Sequence, residues 1–229
     1  MLRVGLTGGL ASGKSTVAGF LREQGAHVVE ADELGRALME PGQPVFSSIV
    51  ACFGAQIVGA DGKLNRARLA EKAFRGGRIN ELNAIVHPAV IEAQRRWMEE
   101  VSRLDPSAVA VVESALIFEV ERDARARGEE KSVLTDWRSR FDRVVMVTAP
   151  DELKVARYVS RVSPDEGGRE AAIADAKRRL ALQIPDAEKA ARADYVLENT
   201  GDREVLHAQV LAVWARLKAE SNKCSQGES

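Results

Sequence analysis

Gly8-Gly9-Leu10-Ala11-Ser12-Gly13-Lys14-Ser15, close to the start of the chain, fits the pattern G-x-x-x-x-G-K-[ST]. The apolar run Val4-Gly5-Leu6 precedes it, and Val17, Phe20 and Leu21 follow at the i, i+3, i+4 spacing of a helix face. A strand, a glycine-rich turn and a helix in that order make a polyphosphate site. The glycines let the backbone wrap closely, so that successive N–H groups point inward. The helix starting near Lys14 adds unpaired N–H donors and a partial positive charge. Gly8 through Thr16 are therefore expected to hold a nucleoside triphosphate, with Lys14 on the β- and γ-phosphates and the Ser15 hydroxyl as a ligand of Mg2+. A turn that binds nothing is the competing explanation. The four fixed positions recur by chance in roughly one unrelated chain of this length per hundred, and the flanking strand and helix lower that further.

The chain has 229 residues, enough for one α/β domain with a small insertion. With 33 Lys plus Arg against 34 Asp plus Glu the net charge is -1, so no global basic field draws in nucleic acid or an anionic membrane. Cys52 and Cys224 match no metal or redox spacing and read as thiols of a reducing compartment. No apolar run reaches the length of a membrane span, and the first residues enter a strand without a leader pattern. The expectation is a cytoplasmic protein with no nucleic-acid or membrane partner, a monomer or small homo-oligomer.

In chain order, Arg3–Thr7 reads as strand one, about Lys14–Gln24 as a helix capped by Gly25, and Ala26–Glu30 as strand two. Strand–helix–strand order makes these strands parallel, so their C-terminal ends share one edge of the sheet. Asp32, just past strand two, should then face the phosphates. Residues 34 to 104 read as mostly helical, and roughly 70 residues between strands exceed what one crossover helix needs. This insert is expected to build the acceptor pocket. Its polar candidates are Arg66, Arg68 and His87, which read equally as surface arginines and as a helix start with Pro88 in its first turn. Ala108–Val112 is strand three, ending in Glu113, which could hold Mg2+ through water or merely cap a turn. Between 121 and 140, 11 of 20 residues are charged, which suggests a solvated, partly helical excursion. Arg143–Thr148 is strand four. The helix after it carries Lys154, Arg157 and Arg161 on one face. With the glycine-bearing turn from Ser163 to Gly168 and a second charged helix ending near Gln183, it reads as a cationic lid. Tyr195–Glu198 is strand five, Asp202 caps a last helix to about Lys218, and 219–229 reads as a disordered tail.

A P-loop does not by itself choose between kinase, GTPase and motor. The chain contains no [NT]-K-x-D guanine-specificity segment and lacks the length of a motor. A small kinase fits the acceptor insert, the facing aspartate and the lid, since ATP hydrolyses if water reaches it before the acceptor does. A kinase for another small acceptor such as a nucleoside, or a regulatory protein that binds ATP without transferring its phosphate, shares the loop.

The loop with its preceding Leu6-Thr7, the Asp61–Arg66 and Leu82–Pro88 segments and the stretch Ala193–Gly201 together resemble the dephospho-coenzyme A kinase family. Leu6-Thr7-Gly8-Gly9 and the rest of the loop are similar to its N-terminal signature, and Val29-Glu30-Ala31-Asp32 to its D-A-D step. Phe53-Gly54 with Asp61-Gly62-Lys63-Leu64-Asn65-Arg66 resembles F-G…D-G-x-L-x-R. Leu82-Asn83-Ala84-Ile85-Val86-His87-Pro88 resembles L-N-x-I-x-H-P, and Ala193 to Gly201 resembles A-D-x-V-I-x-N-x-G. Where the family commonly has P-L-L-F-E, this chain has Ala115-Leu116-Ile117-Phe118-Glu119, without the proline. The resemblance implies a P-loop NTPase fold, a three-layer α/β/α domain over 1–218 with a five-stranded parallel sheet. Its parts would be a core of 1–33, 108–150 and 193–218, a helical acceptor subdomain at about 34–107 and a lid at about 151–192. It further implies transfer of the ATP γ-phosphate to the ribose 3′-hydroxyl of dephospho-coenzyme A, the last step of coenzyme A synthesis. Asp32, Lys14, Arg161 and Arg157 would be catalytic, and Thr7, Asp32, Arg66 and His87 would contact the acceptor.

Overall fold

The structure, a computed structural model, describes residues 1–130, 132–162 and 168–226, the last three without their side chains. Five strands, β1 (Leu2–Gly8), β2 (His27–Glu30), β3 (Val109–Glu113), β4 (Arg143–Thr148) and β5 (Tyr195–Glu198), form one parallel sheet ordered β2-β3-β1-β4-β5. Strand two thus pairs with β3 rather than β1. In register, Glu113 stands opposite Leu6 on one side and Glu30 on the other. The first β-α-β unit therefore skips over a strand that comes much later in the chain, and places Glu113 between the glycine-rich loop and Asp32.

Both faces of the sheet are covered, which is why its strands are nearly continuous apolar runs. Alternate residues serve opposite layers. Val109 and Val111 pack with Val17 and Leu21 of α1 (Lys14–Glu23) and with Leu206 and Val210 of the last helix. Ala110 and Val112 pack with Met98, Ile117, Phe118 and Trp137 on the other side. Gly5 lies on that second face, where an added Cβ would come within 2.7 Å of the Ile117 side chain. Parallel strands between two helical layers make a three-layer α/β/α fold.

Between β2 and β3 the chain forms α2 (Ala31–Leu38), α3 (Pro44–Phe53), α4 (Arg66–Ala70) with a π-helical turn over Glu71–Arg75, and α5 (Ile79–Leu104). Val45, Ile49, Phe53, Ile57 and Leu69 give this insert an apolar centre of its own. Its sequence expectation needs one correction. Pro88 does not open a helix but lies well inside α5, and His87 with it. A proline in a helix interior costs about 3 kcal/mol or more. Leu82, Ile85, Val86 and Ala89, packed against the insert's core, offset that cost and carry the helix through.

The charged stretch from 121 to 140 is also less solvated than its composition suggests. It begins inside α6 (Ile117–Ala126), and Ala124, Leu134, Trp137 and Arg140 are buried. After β4 come α7 (Asp151–Val162), α8 (Arg169–Leu182), which packs against α7, and the short α9 (Asp186–Ala190). The turn expected over 163–167 lies outside the described residues. Lys154 leaves the expected cationic face of α7. It is 2% exposed, paired with Asp151 at 3.0 Å and Asp186 at 2.5 Å.

The second correction concerns the C-terminus. α10 spans Arg203–Gln226, with Asp202 accepting from the Glu204 and Val205 amides at its start, so residues 219–226 are helical rather than a disordered tail. They are held there by contacts with residues distant in the chain. The Ser221 hydroxyl donates to the carbonyls of Ser107 and Ala108 (both 2.9 Å), and Glu220 pairs with Arg143 (2.8 Å) and accepts from Tyr195 (2.9 Å). Truncation after Lys218 is expected to destabilise the protein by at least ~1 kcal/mol, the worth of the buried hydroxyl's bonds. An unchanged thermal or urea midpoint would contradict this role for the segment.

Candidate active site

β1 ends at Gly8 and α1 begins at Lys14, so Gly9 to Gly13 cross the C-terminal edge of the sheet as a tight loop. Its glycines answer to close neighbours. A Cβ on Gly8 would lie 2.4 Å from the Val147 carbonyl. One on Gly13, whose φ of +102° already favours glycine, would lie 2.1 Å from the Asn199 amide nitrogen. Asn199, at the end of β5, donates from that nitrogen to the Ser12 carbonyl at 2.8 Å. Its side-chain oxygen accepts from Arg157 at 2.9 Å. Lys14 curls back over the loop, its ammonium 3.1 Å from the carbonyls of both Gly8 and Gly9.

Glu113 forms the wall opposite the loop. Ser15 Oγ donates to its Oε1 at 3.1 Å, while Oε2 is buried with no partner among the described residues. Burial pushes the Glu113 carboxyl up from its ordinary range, with the Ser15 hydrogen bond and the Lys14 charge pulling it back. Burial likewise pushes the Lys14 ammonium down, opposed by Glu113. Both groups are thus poorly compensated as they stand. A hydroxyl beside a buried carboxylate with a spare oxygen suits Mg2+, which takes oxygen ligands and keeps several waters. The phosphates would supply the counter-charge that Lys14 lacks. Lys14, Ser15, Asp32, Glu113 and Arg161 line a cavity of about 200 Å³ here, together with Leu10 and Gln183.

A second cavity, of about 330 Å³, opens between α2, α5 and the start of α6. Asp32, in the first turn of α2, lines both cavities, as does Ser114. The second one holds Arg36, Arg66, His87 and Arg140 among apolar groups such as Val86, Val90, Ile117 and Phe141. Arg140 is the unusual member. Burial lowers its pKa to about 10, and although Nη2 donates to the Ile117 carbonyl at 3.3 Å, Nε is buried without a partner among the described residues. A desolvated guanidinium with a spare donor favours an anionic ligand.

The sequence-derived residues therefore separate into groups. Lys14, Ser15, Asp32 and Arg161 line the first cavity, and Asp32, Arg66 and His87 line the second. Thr7 lines neither, being fully buried in the middle of the sheet with its hydroxyl unpartnered among the described residues. Arg157 is also absent from both linings. It sits behind the loop, where Nη2 donates to the side-chain oxygen and the carbonyl of Asn199 and Nη1 is buried with no partner among the described residues. Arg68 is spent on the Gln56 carbonyl inside the helical insert. Arg140 and Gln183 were not found from sequence: one sat in a stretch that reads as solvated, the other at a helix end with no motif of its own.

A glycine loop that cradles phosphates at the end of a parallel sheet, facing a carboxylate across the mouth of a second, basic cavity, defines a P-loop phosphotransferase. The family model for dephospho-CoA kinase matches residues 2–204. The chain is 40% identical over 218 residues to the dephospho-CoA kinase of Anaeromyxobacter dehalogenans, covering 94% of this chain and 92% of that one. It is 36% identical over 219 residues to that of Moorella thermoacetica, covering 95% and 93%. Among solved structures, TT1252 from Thermus thermophilus superposes with a TM-score of 0.68 at 34% identity, covering 94% of this chain and 97% of that one. The chain belongs to the dephospho-CoA kinase family.

His87 supplies a pH-dependent test of the second cavity. Burial pushes its imidazole down to about 4 from an ordinary 6.5, helped by Arg127 and Arg140 and opposed by Asp123, and Nδ1 has no partner among the described residues. Between those two values the unfolded chain binds a proton that the folded one refuses. This one imidazole therefore leaves stability unchanged above pH 6.5 and lowers it as pH drops towards 4, by up to about 3 kcal/mol. Urea titrations of the protein and of His87→Gln should diverge across that window and run parallel above it.

Proposed function

We propose that the protein, with Mg2+, transfers the γ-phosphate of ATP to the ribose 3′-hydroxyl of dephospho-coenzyme A, giving coenzyme A and ADP, and that it does so in the cytoplasm. The observation that carries the site assignment is the position of Asp32, whose carboxylate stands on the threshold between the phosphate cavity and the basic, apolar one. A nucleotide with a diphosphate and a flat base suits the second cavity: Arg36, Arg66 and Arg140 for the anions, Val86, Val90 and Phe141 for the base. Among the described residues no helix is long and apolar enough to cross a membrane.

On this reading the acceptor hydroxyl approaches from the second cavity and the triphosphate lies along Gly8–Thr16. Asp32 accepts a hydrogen bond from the hydroxyl and aims it at the γ-phosphorus. The new O–P bond forms as the bond to the β-phosphate oxygen breaks, ADP leaves, and the hydroxyl proton passes to Asp32 and then to solvent. The transition state for such transfer is loose, so positioning and charge stabilisation do most of the work. Lys14 and Arg161 face the transferring oxygens. Ser15 and Glu113, the latter through water, would hold Mg2+, which neutralises charge on the β- and γ-phosphates when bound. Residues 34–107 serve as the acceptor subdomain and 151–192 as a lid that excludes water.

The decisive experiment is incubation with ATP, Mg2+ and dephospho-coenzyme A, followed by mass analysis of the acceptor. The expected product gains one phosphate at the ribose 3′ position, and failure to form it would overturn the reading. Asp32→Asn should keep ATP affinity and lower kcat by ~10²-fold or more, whereas near-normal turnover would remove Asp32 from its role. The two arginines of α7 should behave differently. Arg161→Ala is expected to lower kcat with little change in melting temperature, while Arg157→Ala, which frees the Asn199 clamp, should weaken ATP and ADP binding together. Turnover of Arg161→Ala equal to the parent's would return that arginine to the solvated surface.

A further inference from the structure

Gln183, the residue that closes α8, points its side chain back at the glycine loop. Its Oε1 accepts from the Leu10 amide at 2.9 Å across 173 residues of sequence, and the side chain lines the same cavity as Lys14, Asp32 and Arg161. The orientation of this carboxamide is fixed by chemistry. A backbone N–H only donates, so the group it meets must be the oxygen. The amide nitrogen, with two donors, is then the free end, and it has no partner among the described residues.

The chain just after Gln183 is held firmly. Ile184, 6% exposed, donates its amide to Glu119 Oε1 at 3.1 Å, and Glu119 is itself in a buried ion pair with Lys189. Asp186 accepts from Thr148 at the end of β4 (2.8 Å) and from the buried Lys154 (2.5 Å). These contacts bring the segment so close to the loop that a Cβ on Gly9 would lie 3.0 Å from Asp186 Oδ1, 3.3 Å from Lys154 Nζ and 3.5 Å from Gln183 Oε1. A side chain anchored at its own oxygen, on a backbone anchored immediately after it, is a preorganised donor.

We infer that Gln183 is a further phosphate-contacting residue: its oxygen is fastened to the loop and its amide nitrogen donates to the terminal phosphate of the bound triphosphate. This rests on the reading that ATP lies in the loop with its last phosphate towards Asp32. It assigns Gln183 a task distinct from that of Lys14, since the carboxamide carries no charge and its contact exists only while the third phosphate is present. Gln183 would thereby let the site distinguish ATP from its own product.

The test measures ATP and ADP affinities, without acceptor, for the parent and for Gln183→Ala and Gln183→Met. Both variants should lose about 10- to 100-fold in ATP affinity, the effect of one hydrogen bond to a charged group, while ADP affinity stays within about twofold of the parent's. Gln183→Met keeps the length and neutrality of the side chain and removes its oxygen and donors, so it reports even where the alanine variant folds poorly. A residue that merely straps the segment to the loop would give a different pattern, with ATP and ADP weakened equally by both substitutions. That pattern, or unchanged ATP affinity in the methionine variant, would overturn the assignment. Failure of the unaltered protein to bind either nucleotide would instead overturn the ATP reading beneath it.

Discussion

The backbone of the glycine loop is confined by the ends of two strands that come much later in the chain. Val147 of β4 crowds Gly8, and Asn199 at the end of β5 crowds Gly13 while holding the Ser12 carbonyl. A loop that must present several N–H groups to one polyphosphate gains little from glycine alone, because glycine also frees every other conformation. The external clamp selects one of them. Arg157, Asn199 and the carbonyl of Ser12 form a chain of hydrogen bonds that sets the cradle before any ligand arrives. Preorganisation of this kind is what makes fixed dipoles effective towards charge that develops during a reaction.

Strand order then decides what faces the cradle. Because β3 lies between β1 and β2, Glu113 is brought beside Ser15, and Asp32 is set one strand further out at the mouth of the second cavity. The two carboxylates therefore differ in setting. Glu113 is buried beside a lysine whose own charge is poorly solvated, while Asp32 is exposed and lies within reach of both cavities.

The segment after α8 carries the same logic to the far side of the site. Lys189 with Glu119, and Lys154 with Asp186, are buried ion pairs that join α6, α7 and α9 where they meet the sheet. Such pairs are weak evidence for stability, since desolvation consumes much of their attraction. They do fix geometry, because a one-sided displacement would strand a buried charge. The root of the α7–α8 pair is thereby held in register with the loop, and Arg161 and Gln183 reach the phosphate cavity from opposite ends of that pair.

The sequence by itself determined the glycine loop, the five strands to within a residue or two, and the aspartate after strand two. Each depends on local features: backbone freedom at glycine, apolar runs, and the parallel geometry that any strand–helix–strand unit imposes. It also carried enough family-specific spacing to indicate the acceptor. Only the tertiary structure decided which strand neighbours which, that Thr7 is sealed inside the sheet, and that Arg157 braces Asn199 while Arg161 lines the cavity. It alone found Arg140 and Gln183, and turned an apparent tail into helix. The physical reason is common to these cases. Burial and pairing between residues far apart in the chain depend on contacts that no local pattern encodes, so a charged stretch such as 121–140 reads as solvated until its partners are known.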